Sequence, residues 1–157
     1  MNDKLESETL RQFRIIIGMT RRHFRSLEDA CGVSGAHVWI LSAISSEPGI
    51  KVSQLSEKLS IHVSTASNML NKLAKAELIE RFRNEQDRRV VTLQLTKKGM
   101  DTLSRAPQPL SGLVPHALKK LPRETLVRLH EDLASLIREM NYVDSDSADK
   151  LLSDLVG

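Results

Sequence analysis

Two helical patterns and two strand patterns follow one another in residues 51–99, and this order constrains the fold more than any other feature of the chain. Val52, Leu55 and Leu59 recur at helical spacing, and a short polar break follows. From His62 a second apolar set recurs at i, i+3, i+4 and i+7, which is typical of a helix with one buried face. This second set consists of Ala66, Met69, Leu70 and Leu73. Two short helices separated by a turn predict a helix-turn-helix.

The side of the second helix opposite this apolar set carries polar residues and no carboxylate. A rotation of about 100° per residue, starting from Ala66, places four residues there. This polar face consists of Ser64, Asn68, Asn71 and Lys75. Hydroxyl, amide and ammonium groups can bond to base edges and phosphates, whereas a carboxylate would repel the phosphates. The polar face therefore indicates a helix that contacts double-stranded DNA.

Alternating apolar and polar residues in segments 78–83 and 89–95 predict a pair of strands joined by a charged tip. The tip carries Arg88 and Arg89. Helix, turn, polar-faced helix and basic hairpin together predict a winged helix-turn-helix with a two-stranded wing. Because the flanking sequence is helical in pattern, we expect a mostly α (α+β) protein with additional N- and C-terminal helices.

The positive charge of the chain is concentrated in this same segment. The whole chain has a net charge of only +3, but residues 51–100 contain ten Lys and Arg against five Asp and Glu, a net of +5. The remainder is therefore mildly acidic, at −2. A basic segment in such a scaffold indicates a polyanionic partner. A merely solvated surface is the alternative, and the helix-turn-helix spacing of the same segment disfavours it.

Composition restricts the remaining function classes. The five aromatic residues do not make a stacking platform for single-stranded nucleic acid, and a single cysteine excludes an intrachain disulfide. The polar N-terminus does not resemble a signal peptide, and the apolar runs are too short to span a membrane. The five histidines lack metal-ligand spacing, and no catalytic motif stands out. We expect a cytoplasmic protein that is not an enzyme and has no metal, cofactor or membrane contact.

Both ends of the chain carry apolar stripes at intervals of three and four residues. A helix over about residues 5–30, ending at Gly32, and a second helix begun by Pro122 follow from this spacing. The stripes, which we interpret as dimerisation surfaces, include Leu10, Phe13, Ile17, Leu126, Leu129, Leu133, Leu136 and Met140. Because a single winged helix cannot cover both stripes, we expect a homodimer, with an intrachain helical bundle as the alternative.

These patterns divide the chain into three parts. Residues 1–33 and 100–141 form the predicted helical dimerisation region, and residues 34–99 form the DNA-binding domain. Residues 142–157 are a C-terminal extension, either a short helix or a frayed end. Two more helices are expected between the stripes. One covers residues 34–45, capped by Ser34 and stopped by Pro48 and Gly49. Another starts at Lys97, capped by Thr96, with Met100 and Leu103 facing inward.

The stretches LSEKLSIHVSTASNMLNKL and LIERFRNEQDRRVVTLQLTKKG resemble the MarR family of bacterial transcription regulators. The resemblance is strong over residues 51–99, most specifically at the wing, and extends by pattern over about residues 5–141. It implies a triangular homodimer whose first, fifth and sixth helices interlock. It also implies that the helix from His62 enters the major groove and that Arg89 reaches the flanking minor groove. Members are commonly repressors released by small, often aromatic, ligands or by oxidation.

The partner expected from these features is double-stranded DNA with a pseudo-palindromic operator. The candidate DNA-binding residues are Ser53, His62, Val63, Ser64, Thr65, Ser67, Asn68, Lys72, Arg81, Asp87, Arg88 and Arg89. Asp87 lies two residues before Arg89, so we expect its carboxylate to hold the Arg89 guanidinium. An exposed surface pair of little consequence is the alternative. The alternative function is a winged-helix module for protein–protein contact that does not bind DNA.

Four features depart from the family pattern or bear on release by a small aromatic effector or by oxidation. Glu77 stands where the family usually has glycine after the recognition helix, so we expect that helix to end differently. Pro107, Pro109 and Pro115 predict a kink or break in the fifth helix near residues 105–109. The candidate ligand-binding residues are His23, His37 and Trp39, although ordinary packing roles are the alternative. Cys31, on the apolar stripe of the first helix, is interpreted as a buried inert thiol rather than a redox sensor.

Overall fold

The computed structural model describes residues 2–140 and residue 148. Apart from residue 148, the predicted C-terminal extension lies outside the described residues. The described elements, in chain order, are α1 (Asn2–Cys31), α2 (Gly35–Ser46), β1 (Ile50–Lys51), α3 (Val52–Leu59), α4 (Val63–Lys75), β2 (Ile79–Arg83), β3 (Val91–Leu95), α5 (Lys97–Ser104), α6 (Leu113–Lys120) and α7 (Arg123–Glu139). Helix, helix and hairpin over α3, α4 and β2–β3 confirm the predicted winged helix-turn-helix.

The sheet has three antiparallel strands in the order β1-β3-β2, where the sequence predicted only the two strands of the wing. Strand β1 pairs Ile50 with Leu93 and Lys51 with Thr92. The predicted two-stranded wing is confirmed as β2 and β3, which pair from Ile79 to Arg83. Strand β1 was not predicted, because a strand of two residues is too short to show an alternating pattern. Ile50 and Leu93 are both buried, so β1 anchors the base of the wing to the core.

The main core lies between α2, α3, α4 and the sheet. It includes Leu41, Ile44, Leu55 and Leu70, none of which is exposed to solvent. The apolar set predicted for the second helix of the motif is buried on α4 throughout. Burial of one face of α4 leaves its polar face on the surface, and this arrangement positions the candidate site.

Helix α2 connects this core to the first helix. Ser34 caps α2 by accepting a hydrogen bond from the His37 backbone N–H at 3.3 Å, as predicted. Val38 on α2 packs with Leu27 and Cys31 of α1 in a second, smaller apolar cluster. Gly35 lies against the Phe24 ring, where a Cβ atom would clash, so α1 and α2 approach closely.

Helix α4 ends in a left-handed residue that is not glycine. Glu77 has a φ of 60°, so the expectation that this helix ends differently was wrong. The Leu78 N–H donates to the Leu73 carbonyl, and the Glu77 N–H to the Ala74 carbonyl, each at 3.0 Å. This is the Schellman pattern, with an apolar contact expected between the two leucines, and both are buried. These interactions offset the cost of about 1 kcal/mol that a side chain incurs in this conformation.

The first turn of α5 holds this helix end. The Thr96 hydroxyl accepts from the Gly99 N–H at 3.0 Å and donates to the Glu77 carbonyl at 2.7 Å. The Lys98 ammonium donates to the Ala76 carbonyl at 2.8 Å. Gly99 packs directly on the Leu78 carbonyl, where a Cβ atom would clash. The sequence TKKG is therefore a clamp on the end of α4.

Met100 does not face inward, which corrects one prediction for α5. Its side chain is 54% exposed, whereas Thr102 is buried and Leu103 is half-buried. The contact of Gly99 with Leu78 sets the rotation of the helix. Because the next residue is turned by about 100°, Met100 points away from the core.

The predicted break in the fifth helix is confirmed. Helix α5 ends at Ser104 and α6 begins at Leu113, with Pro107 and Pro109 in the irregular segment between them. Pro115 lies in the first turn of α6, where proline is tolerated, and does not interrupt the helix. The segment is held against α1, because the His23 Nε2 atom lies 2.9 Å from the Pro109 carbonyl oxygen.

The apolar stripes of the terminal helices are not covered within the chain. Leu10 and Ile17 of α1 are 50% and 44% exposed, and Phe13 is half-buried. Helix α7 has no buried residue. Its stripe residues Leu126, Leu133, Leu136 and Met140 are between 38% and 65% exposed. The described fold therefore does not provide the intrachain bundle that was the alternative to a dimer.

Replacing Glu77 with glycine should raise the free energy of unfolding by about 0.5–1 kcal/mol, because glycine adopts this φ without a Cβ clash. The two backbone bonds of the helix end remain. Glu77→Ala is the control, since it also removes the carboxylate 4.0 Å from the Lys98 ammonium but keeps the Cβ atom. Urea unfolding at one protein concentration measures both. An equal gain for alanine would assign the effect to the carboxylate instead of the backbone.

Candidate nucleic-acid interface

The polar face of α4 is on the surface. Ser64, Asn68, Asn71 and Lys75 are all exposed, and the candidate residue Val63 is 53% exposed. Helix α4 contains no Asp or Glu and has two lysines in its last turn, Lys72 and Lys75. A protruding helix with donors, amides and cations, and without carboxylates, is suited to contact with nucleic acid.

The tip of the wing is shaped by two side chains that bond to its own backbone. The Asn84 Oδ1 atom accepts from the N–H groups of Gln86 at 2.8 Å and Asp87 at 3.4 Å. The Asp87 Oδ1 atom accepts from the Arg89 N–H at 3.0 Å. A backbone bond from the Asn84 N–H to the Val90 carbonyl closes the hairpin at 3.1 Å. These Asx turns order a tip that is otherwise exposed.

The expectation that Asp87 holds the Arg89 guanidinium was wrong. In the described part of the chain, Asp87 contacts Arg89 through the backbone N–H and not through the side chain. The physical reason is the spacing, because a carboxylate at i in a tight turn lies over the N–H of residue i+2. Arg88 and Arg89 are both exposed at this ordered tip. Asp87 therefore shapes the backbone that carries the two arginines.

A side chain of the wing is bonded to α4. The Arg81 Nη1 atom donates to the Asn71 Oδ1 atom at 2.8 Å, and Nη2 lies 3.5 Å from the Ser67 carbonyl oxygen. An open groove lies between α3, α4 and the wing at this point. Its lining residues are Val52, Ser67, Arg81, Arg83 and Val91. The wing and the polar face therefore form one continuous surface.

The structure brings some of the predicted DNA-binding residues together and separates others. Ser67 and Arg81 meet at the groove, and Ser53 follows the lining residue Val52. Residues 87–89 form the distal tip of the hairpin. Sequence reasoning missed Arg83, which lies on the same side of β2 as Arg81. The alternation of residues 79, 81 and 83 along the strand was the signal that identifies it.

Two lysines of the basic segment make contacts within the chain. Lys58 lies 3.4 Å from the Glu47 carboxylate, and Lys98 bonds to the end of α4. Arg81 is likewise committed to acceptors on α4. The positive charge of residues 51–100 therefore includes cations with a structural role as well as the exposed arginines of the tip.

The candidate ligand-binding residues lie in different surroundings. The half-buried His23 is next to the Pro109 carbonyl, and the His37 Nδ1 atom is 3.0 Å from the Ser34 Oγ atom. Trp39 packs against the main core. Cys31 is buried, and burial raises the pKa of its thiol while the charge of Arg105 opposes the rise. A thiol held in its protonated form agrees with the inert role predicted for Cys31.

Within residues 2–140 and residue 148, no group of three or more His, Cys, Asp or Glu side chains is arranged to hold a metal ion. The helices among those residues include none that combines the length and the apolar character needed to cross a membrane.

The part of the chain that contains this site is similar to known proteins. Residues 34–91 match the model of the MarR family. The transcriptional repressor MdtR of Bacillus subtilis (strain 168) is 34% identical over 68 residues, which are 43% of this chain and 44% of that protein. The regulator YfiV of the same organism is 33% identical over 58 residues, 37% of this chain and 36% of that protein. The aligned chain thus spans less than half the length of these curated relatives.

The fold is shared over a larger part of the chain. A crystal structure of a MepR-like protein complexed with pseudoligands is 27% identical and has a TM-score of 0.58, covering 83% of this chain and 94% of that one. A MarR mutant from E. coli complexed with operator DNA is 22% identical, with a TM-score of 0.55 and coverage of 82% and 95%. Residues 34–91 therefore match the MarR family, and the described part of the chain shares the fold of MarR.

Proposed function

We propose that this chain is a transcription regulator that binds double-stranded DNA sequence-specifically as a homodimer. The observation that carries the proposal is the exposed face of α4, which contains no carboxylate and is continuous with an arginine-bearing wing. A winged helix used only for protein–protein contact would have no need to exclude acidic residues from this face. The relation to a repressor of Bacillus subtilis and the fold shared with operator-bound MarR support the proposal.

In the proposed complex, α4 enters the major groove and the ordered tip of the wing reaches the adjacent minor groove. The major groove admits a helix and presents a distinct pattern of donors and acceptors for each base pair. A narrow minor groove is electronegative and attracts arginine. Double-stranded RNA is a poorer partner, because its deep major groove does not admit a reading helix.

The exposed stripes of α1 and α7 support the homodimer. Apolar helix faces of this length are normally buried, and a second copy supplies a matching surface under twofold symmetry. Two copies related in this way would recognise an inverted repeat with half-site centres about 10 bp apart.

Repression, release by an effector and a cytoplasmic location are the finer parts of the proposal. Repression is proposed from the relation to MdtR, and a cytoplasmic location follows from DNA as the partner. A small effector is proposed because a similar structure is a complex with pseudoligands, and its aromatic character is proposed from the resemblance to the MarR family. His23, His37 and Trp39 stay the predicted contacts for such a ligand.

Dimerisation should depend on the apolar stripe of α7. Leu133→Asp places a charge in the centre of that stripe, which costs several kcal/mol in an apolar interface, so the dimer should dissociate. Light scattering measures the mass. Ser135→Asp is the control, because residue 135 lies about 200° around the helix from residue 133 and should leave the dimer intact. A stable Leu133→Asp dimer would mean that the stripe is not the interface.

Asn68 should discriminate one base in each half-site. Its amide can pair with adenine in bidentate fashion, so Asn68→Ala should reduce discrimination at one position per half-site by about 1–3 kcal/mol. The measurement is selection of duplexes from a random pool by both proteins, followed by footprinting of the selected sequence. A footprint without dyad symmetry, or no selected sequence at all, would contradict the proposed function.

Variants of the wing tip should distinguish the effect of its charge on DNA binding from the effect of its backbone order. Arg89→Ala should weaken operator binding about tenfold and reduce the salt slope by about 0.9, the value for one phosphate contact, without changing the thermal midpoint. Asp87→Ala should also weaken binding, although it removes a negative charge, because the Arg89 N–H loses its acceptor.

Asp87→Asn is the matched variant for this test. Its amide oxygen can still accept from the Arg89 N–H, but the charge is gone, so binding should equal or exceed that of the unaltered protein. Titrations at several salt concentrations distinguish the two effects. If Asp87→Ala and Asp87→Asn bind equally tightly, Asp87 acts through charge alone.

A further inference from the structure

The contact between Arg81 and Asn71 determines which way the Asn71 amide points. A guanidinium has only donors, whereas an amide has an acceptor oxygen and a donor nitrogen. At 2.8 Å from the Arg81 Nη1 atom, only the Asn71 oxygen is compatible, because the nitrogen would oppose donor to donor. The Asn71 Nδ2 group is therefore directed away from Arg81. Since Asn71 belongs to the exposed polar face of α4, this nitrogen is available to a ligand of that face.

The Arg81 guanidinium contacts two acceptors on α4 that are one helical turn apart. Besides the Asn71 oxygen, it approaches the carbonyl of Ser67, the residue four positions earlier. Arg83, on the same side of the same strand, lines the same groove and bears the same charge. It is exposed and lacks the amide contact that Arg81 makes. Comparing variants of these two arginines therefore distinguishes the effect of the amide contact from the effect of the charge.

We propose that Arg81 is a positioning residue, and that Asn71, oriented by it, selects a hydrogen-bond acceptor on a base edge. The inference rests on the proposed function. In the major groove, guanine, adenine and thymine each present an acceptor, whereas cytosine presents only its N4 donor. The base facing Asn71 in each half-site is therefore not cytosine. Arg81 acts through the amide and does not contribute a phosphate contact of its own.

The test compares base preference and salt dependence in the whole 157-residue chain. A duplex is first selected from a random pool by the unaltered protein. Asn71→Ala, Arg81→Ala and the double variant are then titrated against this duplex and its single-base substitutions at about 50–200 mM salt. We expect each single variant to lose about tenfold discrimination at the same base pair, which is roughly 1.4 kcal/mol. The double variant should lose no more than either single one, and the salt slope should stay unchanged.

Two further variants make the test specific. Arg83→Ala is the charge control, and it should lower the salt slope by about 0.9 while leaving base preference intact. Asn71→Asp keeps an oxygen for Arg81 but replaces the amide donor with a second oxygen. It should therefore lose more affinity than Asn71→Ala. Thermal midpoints establish that each variant is folded.

The results that would contradict the proposed function differ from those that would contradict only the inference about Arg81. If the unaltered protein selects no sequence, the proposed function fails and the inference fails with it. If a sequence is selected but Arg81→Ala weakens binding equally for all duplexes and lowers the salt slope, Arg81 contacts a phosphate and only the inference is wrong. Additive effects of the two single variants would likewise refute it.

Discussion

The clamp of α5 on the end of α4 is the contact on which the rest of the arrangement depends. Thr96 and Lys98 bond to the two carbonyls that directly follow α4, and Gly99 lies against the carbonyl of Leu78. The residue before this clamp ends β3, and Leu78 is followed by β2. One small set of contacts therefore fixes the recognition helix, the base of both wing strands and the start of α5.

The order of helices and strands was predictable from sequence because the buried apolar side chains recur at the period of the helix or strand that carries them. The apolar sets of α3 and α4 alternate with polar residues at the helical period, and the hairpin does so at the strand period. The break after α5 was predictable for a different reason, since proline cannot donate a backbone bond or fit a helix interior. Each of these patterns depends only on residues close together in the sequence, so the predicted element is also found in the folded chain.

The errors at α5 and at the end of α4 occurred where a contact between distant segments decides the outcome. The rotation of α5, and with it the exposure of Met100, depends on how Gly99 meets Leu78, 21 positions earlier. Glu77 adopts a left-handed conformation because the helix end around it is bonded and buried. In the candidate site, sequence spacing placed Asp87 beside Arg89, but it did not reveal that the backbone N–H competes for the carboxylate. Proximity along the chain does not identify the partner atom.

The arginines of the wing differ in the contacts that their side chains make. This difference distinguishes a rigid part of the surface from an adaptable one. Arg81 is bonded to α4, so its position follows that of the recognition helix. Arg88 and Arg89 extend from a tip whose backbone is ordered by Asn84 and Asp87, while their side chains are exposed. An ordered backbone lowers the entropy lost when such side chains are immobilised, yet leaves them able to adapt to groove width. Because α5 holds the end of α4 beside the start of β2, we expect a rotation of α5 to move Asn71 of α4 and Arg81 of β2 together.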